Sequence, residues 1–184
     1  ARYFYSEALK IYQETGNKQG VSAINNNLGL IFQETAHFDE ALKCFQISMQ
    51  MDEEMGDYVG ALNSASNISI ILNYKGRYTE GLRIIEEALS KVKINSETED
   101  IYCRAMINHA TNLADLKRYK EAMEDYTKIE EVAKRRGWNG YLLNCKVNRG
   151  AHLVNMGKYS EAEKLLNEAA AEAEESENLS LLSN

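Results

Sequence analysis

Residues 27–48, NLGLIFQETAHFDEALKCFQIS, carry the pattern that decides the fold. Leu28, Gly29 and Phe32 stand three and four residues apart, the spacing that brings side chains onto one face of a helix. Phe38, Ala41, Leu42 and Phe45 repeat that spacing. Only Thr35-Ala36-His37 separates the two runs. A turn this short makes two helices pack as antiparallel neighbours.

The same pair of helices recurs along the chain. Asn27-Leu28-Gly29, Asn67-Ile68-Ser69, Asn108-His109-Ala110 and Asn148-Arg149-Gly150 follow one another at offsets of 40, 41 and 40 residues. Four further columns keep the register: Phe38, Tyr78, Tyr119, Tyr159; Ala41, Gly81, Ala122, Ala162; Phe45, Ile85, Tyr126, Leu166; and Ser48, Ala88, Ile129, Ala169. The turns inside the units are Thr35-Ala36-His37, Lys75-Gly76-Arg77, Leu116-Lys117-Arg118 and Met156-Gly157-Lys158. Gly16-Asn17, Gly56-Asp57, Asn95-Ser96 and Gly137-Trp138 close them. Small residues on facing helices (Gly29 and Ala41, for example) predict close approach, with the Phe38 column filling the wedge beyond. The spacing therefore predicts an all-α chain of antiparallel helical hairpins. The complete absence of proline agrees, because proline removes a backbone donor and interrupts helices.

These residues resemble the tetratricopeptide repeat (TPR): Leu28-Gly29, Phe32, Phe38, Ala41-Leu42, Phe45 and Ser48 in one unit, and Gly157-Lys158-Tyr159, Ala162 and Leu166 in another. The usual unit has about 34 residues. The longer unit here is similar to the long-helix variety of kinesin light chains, spindle-orientation scaffolds and bacterial quorum-peptide receptors. The resemblance implies a TPR-like right-handed superhelix, an α-solenoid over residues 1–184. It would comprise a half repeat 1–17, repeats 18–57, 58–97, 98–137 and 138–177, and the start of a further helix at 178–184. The half repeats at both ends, and the start at Ala1 without Met, are expected of a piece cut from a longer protein.

Composition narrows the function. The net charge is −7, and Lys134-Arg135-Arg136 is the longest basic run. Nucleic acid needs a positive field to release counterions from phosphates, so neither nucleic acid nor an anionic membrane surface is an expected partner. No apolar run reaches the ~18 residues of a membrane-spanning helix. Cys44, Cys103 and Cys145 are odd in number and lack Cys-x-x-Cys spacing, which predicts core thiols in a reducing, cytoplasmic setting. His37 falls in a turn, and His109 and His152 have no Asp, Glu or Cys at ligand spacing. No catalytic residue, metal site or cofactor is expected. Asn67-Ile68-Ser69 and Asn178-Leu179-Ser180 match the glycosylation sequon, the first inside a predicted helix. Glu172–Glu177 reads as a solvated helix face, and Trp138 as packing on a helix end.

One column has a functional character. Asn27, Asn67, Asn108 and Asn148 hold the same place in all four units, although Asn is a mediocre helix former. The TPR resemblance places them on a concave groove, where an amide can grip both N–H and C=O of a bound backbone. Asn63, Tyr74, Arg104 and Asn144 complete the expected groove. The alternative is a ladder in which the asparagines satisfy one another between repeats. At the places where TPR chaperone adaptors carry a carboxylate clamp, this chain has Asn26, Ser66, Ile107 and Val147, with Arg104 alone basic nearby, so an acidic chaperone tail is not expected. His109 and Arg149, where the family has Leu, predict an inter-repeat ion pair, a solvent-reaching tip or a local polar pocket. The expected function is a protein- or peptide-binding adaptor holding an extended or helical segment. The second reading is a peptide-sensing regulator that switches an attached effector. Self-association through uncapped ends is a third.

Overall fold

The computed structural model describes residues 2–182, with side chains from 4 to 174. Among the described residues there are nine helices and no strand. They are α1 (Arg2–Glu14), α2 (Lys18–Glu34), α3 (Phe38–Met55), α4 (Tyr58–Tyr74), α5 (Tyr78–Lys91), α6 (Glu99–Asp115), α7 (Tyr119–Arg136), α8 (Asn139–Asn155) and α9 (Tyr159–Leu182). None is long and apolar enough to cross a membrane. The chain divides into two compact units, one ending at Asn112 and the other beginning at Leu113, so the division falls within α6. Ala1 and residues 183–184 lie outside the described residues, as do the side chains of Glu175–Glu177 and of the Asn178 sequon. The backbone of α9 passes residue 178 as one helix.

Turn chemistry sets the helix ends. Asn17 and Asp57 stand at the same place in successive units, and each accepts the N–H of the residue three further on (Gly20 and Gly60) at 2.9 Å. Such a cap satisfies a donor that the helix leaves unpaired, typically worth ~1 kcal/mol. Gly56 and Gly137 end α3 and α7 in the left-handed region, at φ of 75° and 69°. At the turn inside each unit the left-handed residue is Gly76 or Gly157 in two cases, and Ala36 or Lys117 in the other two. The odd offset of 41 is spent after α5. That helix stops at Lys91, and Thr98 Oγ1 bonds the carbonyl of Lys93 at 3.0 Å while Asn95 Oδ1 accepts the N–H of Glu97 at 2.9 Å.

In the first unit the core is built where the columns meet. Ala41, Leu42 and Phe45 of α3 pack with Ile68, Ile71 and Leu72 of α4. Leu62 and Ala65 of α4, Ile85 and Ala88 of α5, and Ile101 and Ala105 of α6 form the next cluster. The small residues do allow close approach, but the partner differs from expectation. A Cβ on Gly29 would lie 2.5 Å from the Phe45 ring, and one on Gly150 would lie 2.6 Å from Leu166. The Phe45 column therefore fills the contact at the glycine. Phe38, at the start of its helix, packs on the edge of the same cluster and also stacks on Tyr74, whereas Tyr159 of that column is 68% exposed.

Candidate functional site

The asparagine column lies on α2, α4, α6 and α8, and its members do not share one environment. Asn67 Nδ2 donates to Asn26 Oδ1 at 3.2 Å, which bridges α2 and α4. One rung of the ladder thus exists. The half-buried side-chain amides of Asn27, Asn63 and Asn108 make no hydrogen bond among the described residues. In the second unit Asn148 Nδ2 donates to Asn144 Oδ1, one turn earlier on α8, at 2.6 Å. Arg104 is exposed and pairs with Asp100 at 3.2 Å on its own helix. Tyr74 is 67% exposed, its ring 5.5 Å from that of Phe38.

Asn26 and Asn63 line a pocket of about 360 Å³ among α2, α3 and α4. Its floor is a row of polar side chains. Ser64 donates to Ser48 at 3.1 Å, Ser48 meets Ser22 at 3.0 Å, and Ser22 donates to Asp52 Oδ1 at 2.5 Å. All four residues are buried, Asp52 to 5% exposure. Burial pushes the Asp52 carboxyl above its ordinary range, the Ser22 hydrogen bond pulls it back, and the neighbouring charge of Asp57 adds to the rise. The carboxyl also lies against Gly60 in the first turn of α4, where the helix dipole favours an anion.

A second buried polar residue is Asn112 on α6, 1% exposed. Its Nδ2 donates to Ser69 Oγ and to the carbonyl of Asn108, both at 2.8 Å, while its Oδ1 is buried without a hydrogen bond. A Cβ on Gly81 would come within 2.9 Å of that oxygen, so glycine leaves room for the amide.

Sequence reasoning did not single out Asp52, Ser22, Ser64 or Asn112. The signal was a polar residue in a column that is apolar elsewhere: Asn112 and His152 share theirs with Ile31 and Ile71. His152 is buried, its Nε2 is 2.9 Å from the Tyr126 hydroxyl, and burial lowers its pKa below the usual imidazole value. Arg149 reaches Glu130 at 2.7 Å and His109 reaches Glu86 at 3.4 Å, each linking helices of successive repeats. Trp138 stands at the start of α8 without a side-chain capping bond and packs on Tyr141, with the Arg136 guanidinium 5.5 Å from its ring centre.

Cys103 and Cys145 are buried and stand outside any disulfide, and Cys44 is half-buried, its thiol pushed up by burial. A thiol raised in this way is a poor nucleophile at neutral pH. Among the described residues no three His, Cys, Asp or Glu side chains gather as a metal site. His37 lies exposed in its turn, Nδ1 2.8 Å from the Thr35 carbonyl oxygen. Ser69 is fully buried, so the Asn67 sequon lies in a packed helix.

The sequence matches no family model and no curated protein. Two crystal structures of nearly identical TPR-like repeats from a candidate kinesin light chain of Podosopora anserina do share the fold. One has a TM-score of 0.66 at 13% identity and covers 96% of each chain. The other has a TM-score of 0.60 at 14% identity, covering 92% of this chain and 93% of its own. At such identity the likeness is one of fold, and it places this chain among the TPR-like α-solenoids.

Proposed function

We propose that this TPR-like repeat chain is a peptide-binding adaptor that holds an extended or helical segment of a partner protein against its first helices. TPR-like folds generally mediate protein–protein interaction. The finer reading rests on one observation: among the described residues the half-buried side-chain amides of Asn27, Asn63 and Asn108 make no hydrogen bond. An amide in that state offers one acceptor and two donors to a bound backbone. Asn67 contributes from its Asn26 bridge, and Tyr74 and Arg104 extend the surface along α4 and α6. Asn144 and Asn148 on α8 are bonded to each other, which leaves the Asn144 NH₂ group and the Asn148 amide oxygen for a partner. Residues 18–57, 58–97, 98–137 and 138–177 are the proposed repeats, working in a reducing, cytoplasmic setting that suits three cysteines outside any disulfide. No catalysis or cofactor enters this reading.

A peptide-library selection tests it, run on the native chain and on Asn67→Ala/Asn108→Ala with unchanged helicity. Peptides enriched by the native chain and lost by the variant support groove binding. The same peptides enriched by both would refute it.

A further inference from the structure

The pocket floored by Asp52 departs from the repeat. At offsets of 40 and 41, Asp52 shares its column with Val92 and Ala133, Ser22 with Leu62, Cys103 and Leu143, and Ser64 with Ile24, Ala105 and Cys145. Ser48 stands where the other units have Ala88, Ile129 and Ala169. Four apolar positions thus became polar together at one place, although hydrophobic packing serves every equivalent place in the chain. A buried carboxylate is costly unless something offsets its charge. Among the described residues Asp52 has no ion-pair partner, and its Oδ2 carries no hydrogen bond.

The hydrogen-bond directions identify what is missing. Ser22 gives its proton to Asp52, so Ser48 must give its proton to Ser22, and Ser64 gives its proton to Ser48. A hydroxyl has one proton and two lone pairs. All three protons therefore run toward the carboxylate, and the hydroxyls have only lone pairs left to offer. Asp57, at the rim, spends Oδ1 on the Gly60 N–H and keeps Oδ2. Asn63 adds an amide oxygen. The cavity has the size of a small ligand site, and no Lys or Arg lines it.

We propose that this pocket receives the guanidinium of an arginine side chain carried by the bound partner segment. Arginine presents five donors in a planar fork, which suits several separate acceptors better than the compact ammonium of lysine. The negative floor supplies the charge. The proposal deepens the groove reading and rests on it for the surrounding segment, but the pocket can be tested alone.

The test titrates Nα-acetyl-arginine amide into the isotope-labelled chain and follows backbone amide shifts, with Nα-acetyl-lysine amide and the neutral Nα-acetyl-citrulline amide in parallel. Saturable shifts at Ser22, Asp52, Gly60 and Ser64 are expected with arginine, weaker ones with lysine and none with citrulline. Asp52→Asn should weaken arginine binding at least tenfold. Asp57→Asn keeps the helix cap and should weaken it by a smaller factor, which covers the case of a misfolded Asp52→Asn. Citrulline binding equal to arginine, lysine binding tighter than arginine, or full affinity in both folded variants would overturn the proposal. An inert arginine probe, with selected peptides still lost to Asn67→Ala/Asn108→Ala, would remove the pocket and leave the groove. A pocket that fills while those variants keep every peptide would remove the groove and leave the pocket.

Discussion

Gly29→Ala adds one methyl group to a tight contact in the core of the first unit. Its Cβ would lie 2.5, 2.7 and 2.8 Å from three carbons of Phe45. That ring is 0% exposed and is held by Ala41, Leu42, Ile68 and Ile71, so it has nowhere to withdraw. Overpacking a filled core costs ~1–3 kcal/mol, and a contact this short belongs near the top of that range. Alanine returns about 0.8–1 kcal/mol of helix propensity. The net expectation is a loss of ~1–2 kcal/mol, or a fall in melting temperature of ~2–8 °C for a chain of this size. Gly140→Ala is the control. It also lies in a helix, but nothing stands within 4 Å of its Cβ. There propensity acts alone, and a gain of up to ~1 kcal/mol follows. Thermal denaturation followed by far-ultraviolet circular dichroism reads both variants. A Gly29→Ala chain as stable as the native one, or a Gly140→Ala chain that melts earlier, would refute the reasoning that contact rather than propensity decides.

Three further outcomes are expected. Ala36→Gly and Lys117→Gly relieve left-handed backbone at φ of 56° and 61°; the strain relieved is ~1–2 kcal/mol, the greater freedom of the unfolded glycine offsets part of it, and each variant should unfold at slightly higher urea. Burial holds His152 below the imidazole range, so the unfolded chain binds the extra proton first. Its contribution is present above the unfolded pKa of about 6.5 and is lost as pH falls through the lower folded value; Tyr126→Phe, which strips the Nε2 partner, should cost ~1–3 kcal/mol in urea titrations at pH 7. For Asp52 the sign is opposite. Its folded pKa is raised, so its contribution is full below the unfolded carboxyl value and is lost as pH rises through the folded one; Asp52→Asn should therefore raise the melting temperature at pH 7 and lose that advantage near pH 3.

The hairpins were legible because helical spacing and a 40-residue register are properties of the chain itself. Gly29 and Gly150 could be read as close contacts, but the residues that fill them could not. Phe38 and Phe45 both lie on the packing face, and only three-dimensional placement shows that Phe45 meets the glycine while Phe38 packs at the cluster's edge against Tyr74. The extra residue showed as an offset of 41, while the shortened α5 and the Asn95 turn after it depended on local hydrogen bonds. The asparagine column stood out because it repeats. Asp52 escaped notice because it breaks its column once, and Asn112 because its column of Ile31, Ile71, Asn112 and His152 repeats no single polar type; a pattern search rewards recurrence. Whether an amide is spent or free also depends on neighbours one repeat away, as the Asn67 to Asn26 bond across 41 residues illustrates.

The central claim is that partners bind along the asparagine-bearing first helices. The most direct test follows the side-chain amide resonances of the asparagines while a selected peptide is added. The account predicts saturable shifts at the NH₂ groups of Asn27, Asn63 and Asn108, with the backbone amides of Arg83 and Glu87 on α5 unmoved. Shifts confined to α3 and α5, with those three amides unchanged, would contradict it.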